Sequence, residues 1–126
     1  MVKNNPGEPY SRISSEEAFE MQINGDGIII DVRNQDEYEA GHVKNAIWIP
    51  VDEIVERFSE IPESGNLLFI CAVGARSGLA AEYASSLGVD SERLFNIEDG
   101  TPSWIDKGLP RSNGTEKWKK INHTSL

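Results

Sequence analysis

Leu67-Leu68-Phe69-Ile70-Cys71-Ala72-Val73-Gly74-Ala75-Arg76-Ser77 decides the fold of this 126-residue chain. The apolar run up to Cys71 is too short for a buried helix and has the length of a buried strand. A loop of small residues follows. Residues 76–87 then return to helical spacing, with Leu79, Ala80, Tyr83, Ala84 and Leu87 as the expected buried stripe and Gly88 as the stop. A strand that passes through a tight loop into a helix is the first half of a βαβ unit. Such units imply a parallel sheet with helices over its faces.

The flanking sequence repeats this alternation. Downstream, residues 93–97 read as a strand and residues 103–107 as a short last helix. Upstream, Ile28-Ile29-Ile30-Asp31-Val32 reads as a strand apolar on both faces, and Ala46-Ile47-Trp48-Ile49 as another, stopped by Pro50. Residues 51–61 are expected to be an amphipathic helix burying Val51, Ile54, Val55 and Phe58. Gln35 to Ala40 suits a short helical turn. Ser14-Ser15-Glu16-Glu17 starts a helix, with a serine cap and acids in the first turn, and Asn24-Gly25-Asp26-Gly27 ends it. Residues 11–13 are expected as an edge strand. In such α/β sheets ligands bind beyond the carboxyl ends of the strands. The loops after Val32, Ile70 and Ile97 are therefore the candidate sites.

Composition narrows the function. The formal net charge is −9, which disfavours nucleic acid and anionic membranes as partners. The longest apolar run, residues 67–73, is far short of the roughly 20 residues of a membrane span. The polar start, MVKNNPGEPY, is not a secretory signal, and a single cysteine suits a reducing compartment, so the expected location is cytoplasmic. In that compartment the triplets Asn113-Gly114-Thr115 and Asn122-His123-Thr124 carry no glycan. Arg111, Lys117, Lys119 and Lys120 face Glu116 alone in residues 111–126, a basic tail on an acidic body. Solvation is the ordinary fate of such a tail, and Trp118 within it could dock on a partner or on the domain.

The loop after Ile70 carries the chemistry. Backbone N–H groups converging on a helix N-terminus form an anion site. A thiol at its rim ionises easily: helix N-termini and cations bring a cysteine from about 8.5 down to roughly 3.5–7.5. The thiolate is the nucleophile. The structural alternative is that Cys71 only caps a buried strand as a small hydrophobe.

Three segments carry a family resemblance. They are Ile30-Asp31-Val32-Arg33 with Glu37-Tyr38, Gly41-His42-Val43-Lys44-Asn45-Ala46-Ile47 and Pro50; then Cys71-x-x-Gly74-x-Arg76-Ser77; then Gly100-x-x-x-Trp104 with Gly108-Leu109-Pro110. In this order and spacing they resemble the rhodanese family of sulfurtransferases over residues 10–110. The resemblance implies a three-layer α/β/α domain with a mainly parallel five-stranded sheet. It leaves residues 1–9 as an extension and 111–126 as the basic tail. It also implies a cycle in which Cys71 takes sulfane sulfur from a small donor and passes it to a thiol or cyanide, without metal or organic cofactor. Thiosulfate, a low-molecular-weight persulfide and a protein persulfide are the candidate donors. Ala72, Val73, Gly74, Ala75, Arg76 and Ser77 would form the substrate loop. Oligomeric state is not legible.

Asp31 and Arg33, two apart on one side of a strand, read as braces beneath the cysteine. His42 reads as a hydrogen-bonded structural group rather than a base, and His123 as solvated. Trp104 reads as core or pocket wall, and Trp48 as packed beside the sheet. Arg76 opposes the helix dipole at its own position, which predicts an anion or a carboxylate partner such as Glu37 or Asp31. Two departures from the family pattern bear on the donor. Asp99 precedes Gly100 where many relatives have paired glycines, and Ala72 stands where some thiosulfate-using relatives have a basic residue. Both weigh against thiosulfate. Two rivals remain at this level. One is a non-catalytic interaction module. The other is a phosphatase or arsenate reductase, whose loop places five residues between cysteine and arginine where this chain has four.

Overall fold

The computed structural model describes residues 2–114. The strands are β1 (Ser11–Ile13), β2 (Gly27–Asp31), β3 (His42–Val43), β4 (Ile47–Trp48), β5 (Asn66–Ile70), β6 (Leu94–Ile97) and β7 (Arg111–Ser112). The helices are α1 (Ser15–Ile23), α2 (Gln35–Ala40), α3 (Ala75–Ser86) and α4 (Gly100–Asp106), with 3-10 turns at Val51–Glu53, Phe58–Glu60 and Ser91–Arg93. Five strands form one parallel sheet in the order β1-β6-β5-β2-β4, the architecture expected from the sequence. β5 lies at its centre, and Cys71 follows directly at its carboxyl edge.

The pleat of β5 divides the core. Leu67 and Phe69 join Ile30, Leu94 and the α3 alanines Ala80, Ala81 and Ala84 on one face. Leu68 and Ile70 join Ile13, Ile29, Ile97, Ala18 of α1 and Trp104 of α4 on the other. Successive residues of a strand point to opposite faces, so a strand covered on both sides is apolar throughout. Ser14 caps α1 as read: its hydroxyl accepts from the Glu17 N–H, and the Glu17 carboxylate accepts from the Ser14 N–H.

Four local expectations are corrected. Residues 51–61 form two 3-10 turns rather than one helix. Val51 and Ile54, three apart, share the buried side of the first turn, while Val55 is 55% exposed. The buried face of α3 is Ser77, Gly78, Ala80, Ala81 and Ala84, whereas Leu79, Tyr83 and Leu87 are exposed. Small residues face inward because the helix packs closely there: a Cβ at Gly78 would lie 3.3 Å from Asn96 Nδ2 of β6 and 2.8 Å from the Tyr10 hydroxyl. Ile28, near the start of β2, is exposed, so that strand is apolar-buried only from Ile29 on. The last helix begins at Gly100, not Ser103.

The antiparallel pair β3–β7, which joins His42–Val43 to Arg111–Ser112, has no signal strong enough to read at two residues a strand. Trp118, His123, Lys117, Lys119, Lys120 and the Asn122 triplet lie outside the described residues. Among the described residues, no helix is long and apolar enough to cross a membrane.

Candidate active site

The Cys71 side chain is fully buried. Its Sγ accepts a hydrogen bond from the Gly74 N–H at 3.1 Å and lies 3.3 Å from Ser77 Oγ. Gly74 makes this turn: it caps α3 in the left-handed region, φ +91°, and a Cβ there would come 2.9 Å from the Glu98 carbonyl oxygen. The N-terminus of α3 thus opens onto the sulfur. Burial by itself would push the thiol pKa up. The Ser77 hydroxyl and the N–H groups of Ser77, Val73 and Gly74 outweigh it and hold Cys71 below its ordinary value. Ser77 is buried, Ala72, Gly74 and Arg76 are half-buried, Ala75 is exposed, and Val73 is 77% exposed over the loop.

The other side of the loop is fixed from α4. The Cys71 carbonyl accepts from both the Thr101 N–H, at 2.9 Å, and the Thr101 hydroxyl, at 3.1 Å. Gly100 allows the approach, with φ +74° and no side chain to meet Ala72. Asp99 has an ordinary φ of −88°. Its carboxylate accepts from the Ser15 N–H and the Ser103 hydroxyl and pairs with Lys107 at 2.9 Å. Burial would raise its pKa, but Lys107, Ser15 and Ser103 together lower it. The charge weighed against an anionic donor is therefore already compensated.

Arg76 finds the carboxylate partner its position demanded. Both guanidinium NH2 groups donate to Glu37 of α2, at 2.7 and 2.9 Å. The pair with Arg76 holds the Glu37 carboxyl at about 2, with the Asn34 N–H assisting against burial. A carboxylate whose folded pKa is depressed stabilises the fold above its unfolded value and loses that contribution as pH falls. Thermal stability should therefore drop between about pH 4.5 and pH 2 as Glu37 is protonated. Glu37→Gln should start lower at neutral pH and lose part of that acid dependence, read by melting curves across the range. An unchanged pH profile would show that the pair contributes nothing.

Asp31 and Arg33 pair with each other, buried to 0% and 6% exposure. Arg33 Nε and one NH2 group grip both carboxylate oxygens, at 3.0 and 2.8 Å, and the same NH2 group donates to the Gly41 carbonyl. They brace the loop after β2. His42 Nδ1 lies 2.7 Å from the Tyr38 carbonyl, and its ring stacks on Tyr38, so that nitrogen is occupied structurally. Trp48 also stacks on Tyr38 and donates to the Arg33 carbonyl. Trp104 is core.

Two residues at the site were not singled out from sequence. Thr101 is one. The other is Asn96, fully buried on β6, which touches both Ser77 and Gly74. An asparagine between Phe95 and Ile97 in an apolar strand is the signal that was available, because a buried amide needs partners.

Comparison with known proteins agrees with this geometry. A family model for the rhodanese-like domain matches residues 14–107. A sulfurtransferase of Allochromatium vinosum is 33% identical over 85 residues, covering 68% of this chain and 78% of that protein. YrkF of Bacillus subtilis, which bears the name of a sulfur carrier protein, is 33% identical over 93 residues, 72% of this chain; the chain spans only 49% of its length. The crystal structure of a rhodanese-related protein from Thermoplasma volcanium superposes with a TM-score of 0.70 at 31% identity, over 80% of this chain and 96% of that one. The chain belongs to the family of rhodanese-like domains.

Proposed function

We propose that this domain is a sulfurtransferase in which Cys71 carries sulfane sulfur as a persulfide. The observation that carries the reading is the seat of the Cys71 sulfur at a helix N-terminus, 3.3 Å from the Ser77 hydroxyl and accepting the Gly74 N–H, contacts that hold the thiol below its ordinary pKa. The thiolate attacks the sulfane sulfur of the donor. A Cys71 S–S bond forms, and the donor's sulfur bond breaks with its electron pair leaving on the donor residue. An acceptor thiolate or cyanide then attacks the outer sulfur and returns Cys71 as thiolate. Loop N–H groups stabilise the charge on the outer sulfur, as an oxyanion hole does. No metal or organic cofactor takes part.

The donor follows from charge. Arg76 is the one cation between residues 71 and 77, and Glu37 already holds it. The loop therefore offers dipoles rather than free positive charge. That supports a persulfide donor, small or on a protein, over the thiosulfate dianion. The covered sulfur requires the exposed segment around Val73 to part for each transfer. A lone free thiol suits the cytoplasm.

Intact mass after incubation with a persulfide donor, then with cyanide, tests this. A gain of one sulfur that cyanide removes supports the carrier. No adduct from any donor would sink it and favour an interaction module, the reading that burial of Cys71 alone would suggest. Iodoacetamide should also alkylate the thiol with a midpoint below about 8.5, the ordinary cysteine value. A midpoint at or above that value would remove the activated thiolate.

A further inference from the structure

We infer that Asn96 is a positioning residue that sets the ionisation of Cys71 by competing for the single hydroxyl proton of Ser77. The inference rests on Cys71 as the reacting thiol, but concerns its protonation and not the donor or acceptor.

Four hydrogen bonds close a ring of buried groups. The Gly74 N–H donates to Cys71 Sγ at 3.1 Å. Sγ lies 3.3 Å from Ser77 Oγ, a contact in which either atom can be the donor. Ser77 Oγ donates to Asn96 Oδ1 at 2.6 Å. Asn96 Nδ2 donates back to the Gly74 carbonyl at 3.0 Å. Cys71, Ser77 and Asn96 are each fully buried.

A serine hydroxyl has one proton. In the thiol state the ring is satisfied throughout: S–H donates to Ser77 Oγ, and Ser77 O–H donates to Asn96. When the thiol proton leaves to solvent, S–H no longer donates. The thiolate then gains most from a hydrogen bond to its charge, and Ser77 can supply it only by turning away from Asn96. The short bond to Asn96 Oδ1 opposes that turn. Asn96 therefore favours the thiol, and Ser77 carries its influence to the sulfur. When Cys71 is loaded with sulfur and has neither proton nor charge on Sγ, the hydroxyl returns to Asn96.

Other charges around the sulfur are already engaged, so they do not substitute for this contact. Arg76 of α3 is paired with Glu37 of α2. Asp31 and Arg33 after β2 are paired together. Beyond β6, Glu98 pairs with Lys3 and Arg12, and Asp99 at the start of α4 pairs with Lys107.

Asn96→Leu keeps the branched shape and removes the acceptor. The Gly74 carbonyl retains its bond from the Gly78 N–H. The iodoacetamide midpoint of Cys71 should fall by about one pH unit, a tenfold gain in thiolate at a pH below the midpoint. In a Ser77→Ala background the same substitution should leave the midpoint where it was. An unchanged or raised midpoint in the single variant overturns the inference, as does an equal fall in the Ser77→Ala background. A second measurement needs no change at Asn96. In the unaltered protein, the 13C shift of the Asn96 side-chain carbonyl should titrate with the Cys71 midpoint, and in Ser77→Ala it should not. A carbonyl shift that stays flat through the Cys71 titration overturns the inference. Persulfide formation is not read in either test, so failure of sulfur transfer would be seen separately, in the mass experiment.

Discussion

Cys71→Ser is expected to give a folded protein that takes up no sulfur. A hydroxyl at this position can still accept the Gly74 N–H and exchange a hydrogen bond with Ser77, so the loop keeps its partners. The change in volume is small, and a buried hydroxyl that keeps its hydrogen-bond partners avoids most of its desolvation penalty, so the stability cost should be about 1–2 kcal/mol. Chemistry is lost for a different reason. At neutral pH a serine hydroxyl is not ionised, and no adjacent base stands ready: Ser77 and Asn96 are neutral, and His42 Nδ1 is bound to the Tyr38 carbonyl. No sulfur–sulfur bond can form at an oxygen. Intact mass after donor treatment should show no adduct, while the melting curve stays near that of the parent. Sulfur uptake retained by this variant would refute Cys71 as the carrier, because the chain has no second cysteine.

The strand–loop–helix at Cys71 was legible because two local signals coincide there: a short apolar run and a change to helical spacing. The partner of Arg76 was half legible. A cation in the first turn of a helix demands an anion, and sequence offered Glu37 or Asp31. Only the fold chooses, since Arg33 consumes Asp31. The face of α3 is only half legible: apolar size points to Leu79, Tyr83 and Leu87 beside Ala80 and Ala84, whereas close packing selects Gly78 and the alanines. Thr101 left no local signal, and Asn96 announced only that a buried amide needs partners, not which ones. Both act through hydrogen bonds to residues far away in the chain, and no local pattern encodes such a pairing.

Gly100→Ala should be the most damaging single change outside the cysteine, and it also explains how Asp99 replaces the first of two glycines. Asp99 sits at φ −88°, a value any residue adopts, so nothing in the backbone requires glycine there. Gly100 is different on two counts. Its φ of +74° is strained for an L side chain, and a Cβ would stand only 1.9 Å from the Ala72 carbonyl oxygen and 3.0 Å from that of Cys71. The atoms that a Cβ would meet are backbone, so relief requires the cysteine loop to move away from α4. That movement would break both Thr101 bonds to the Cys71 carbonyl. The expected cost is roughly 3–5 kcal/mol, the range of a mutation that combines strain with lost buried hydrogen bonds. Sulfur uptake should be lost even at temperatures where the variant remains folded. Gly108→Ala is the control. Gly108 has nearly the same φ, +72°, with nothing within 4 Å of its Cβ position, so it carries the backbone strain alone and should cost about 1 kcal/mol. Thermal melts and donor-treated mass of the two variants, side by side, separate strain from contact. Equal losses in both would mean that the close approach of Gly100 to Ala72 does not hold the cysteine loop in place. A much larger loss at Gly100 would locate the support of the reactive sulfur in that backbone contact.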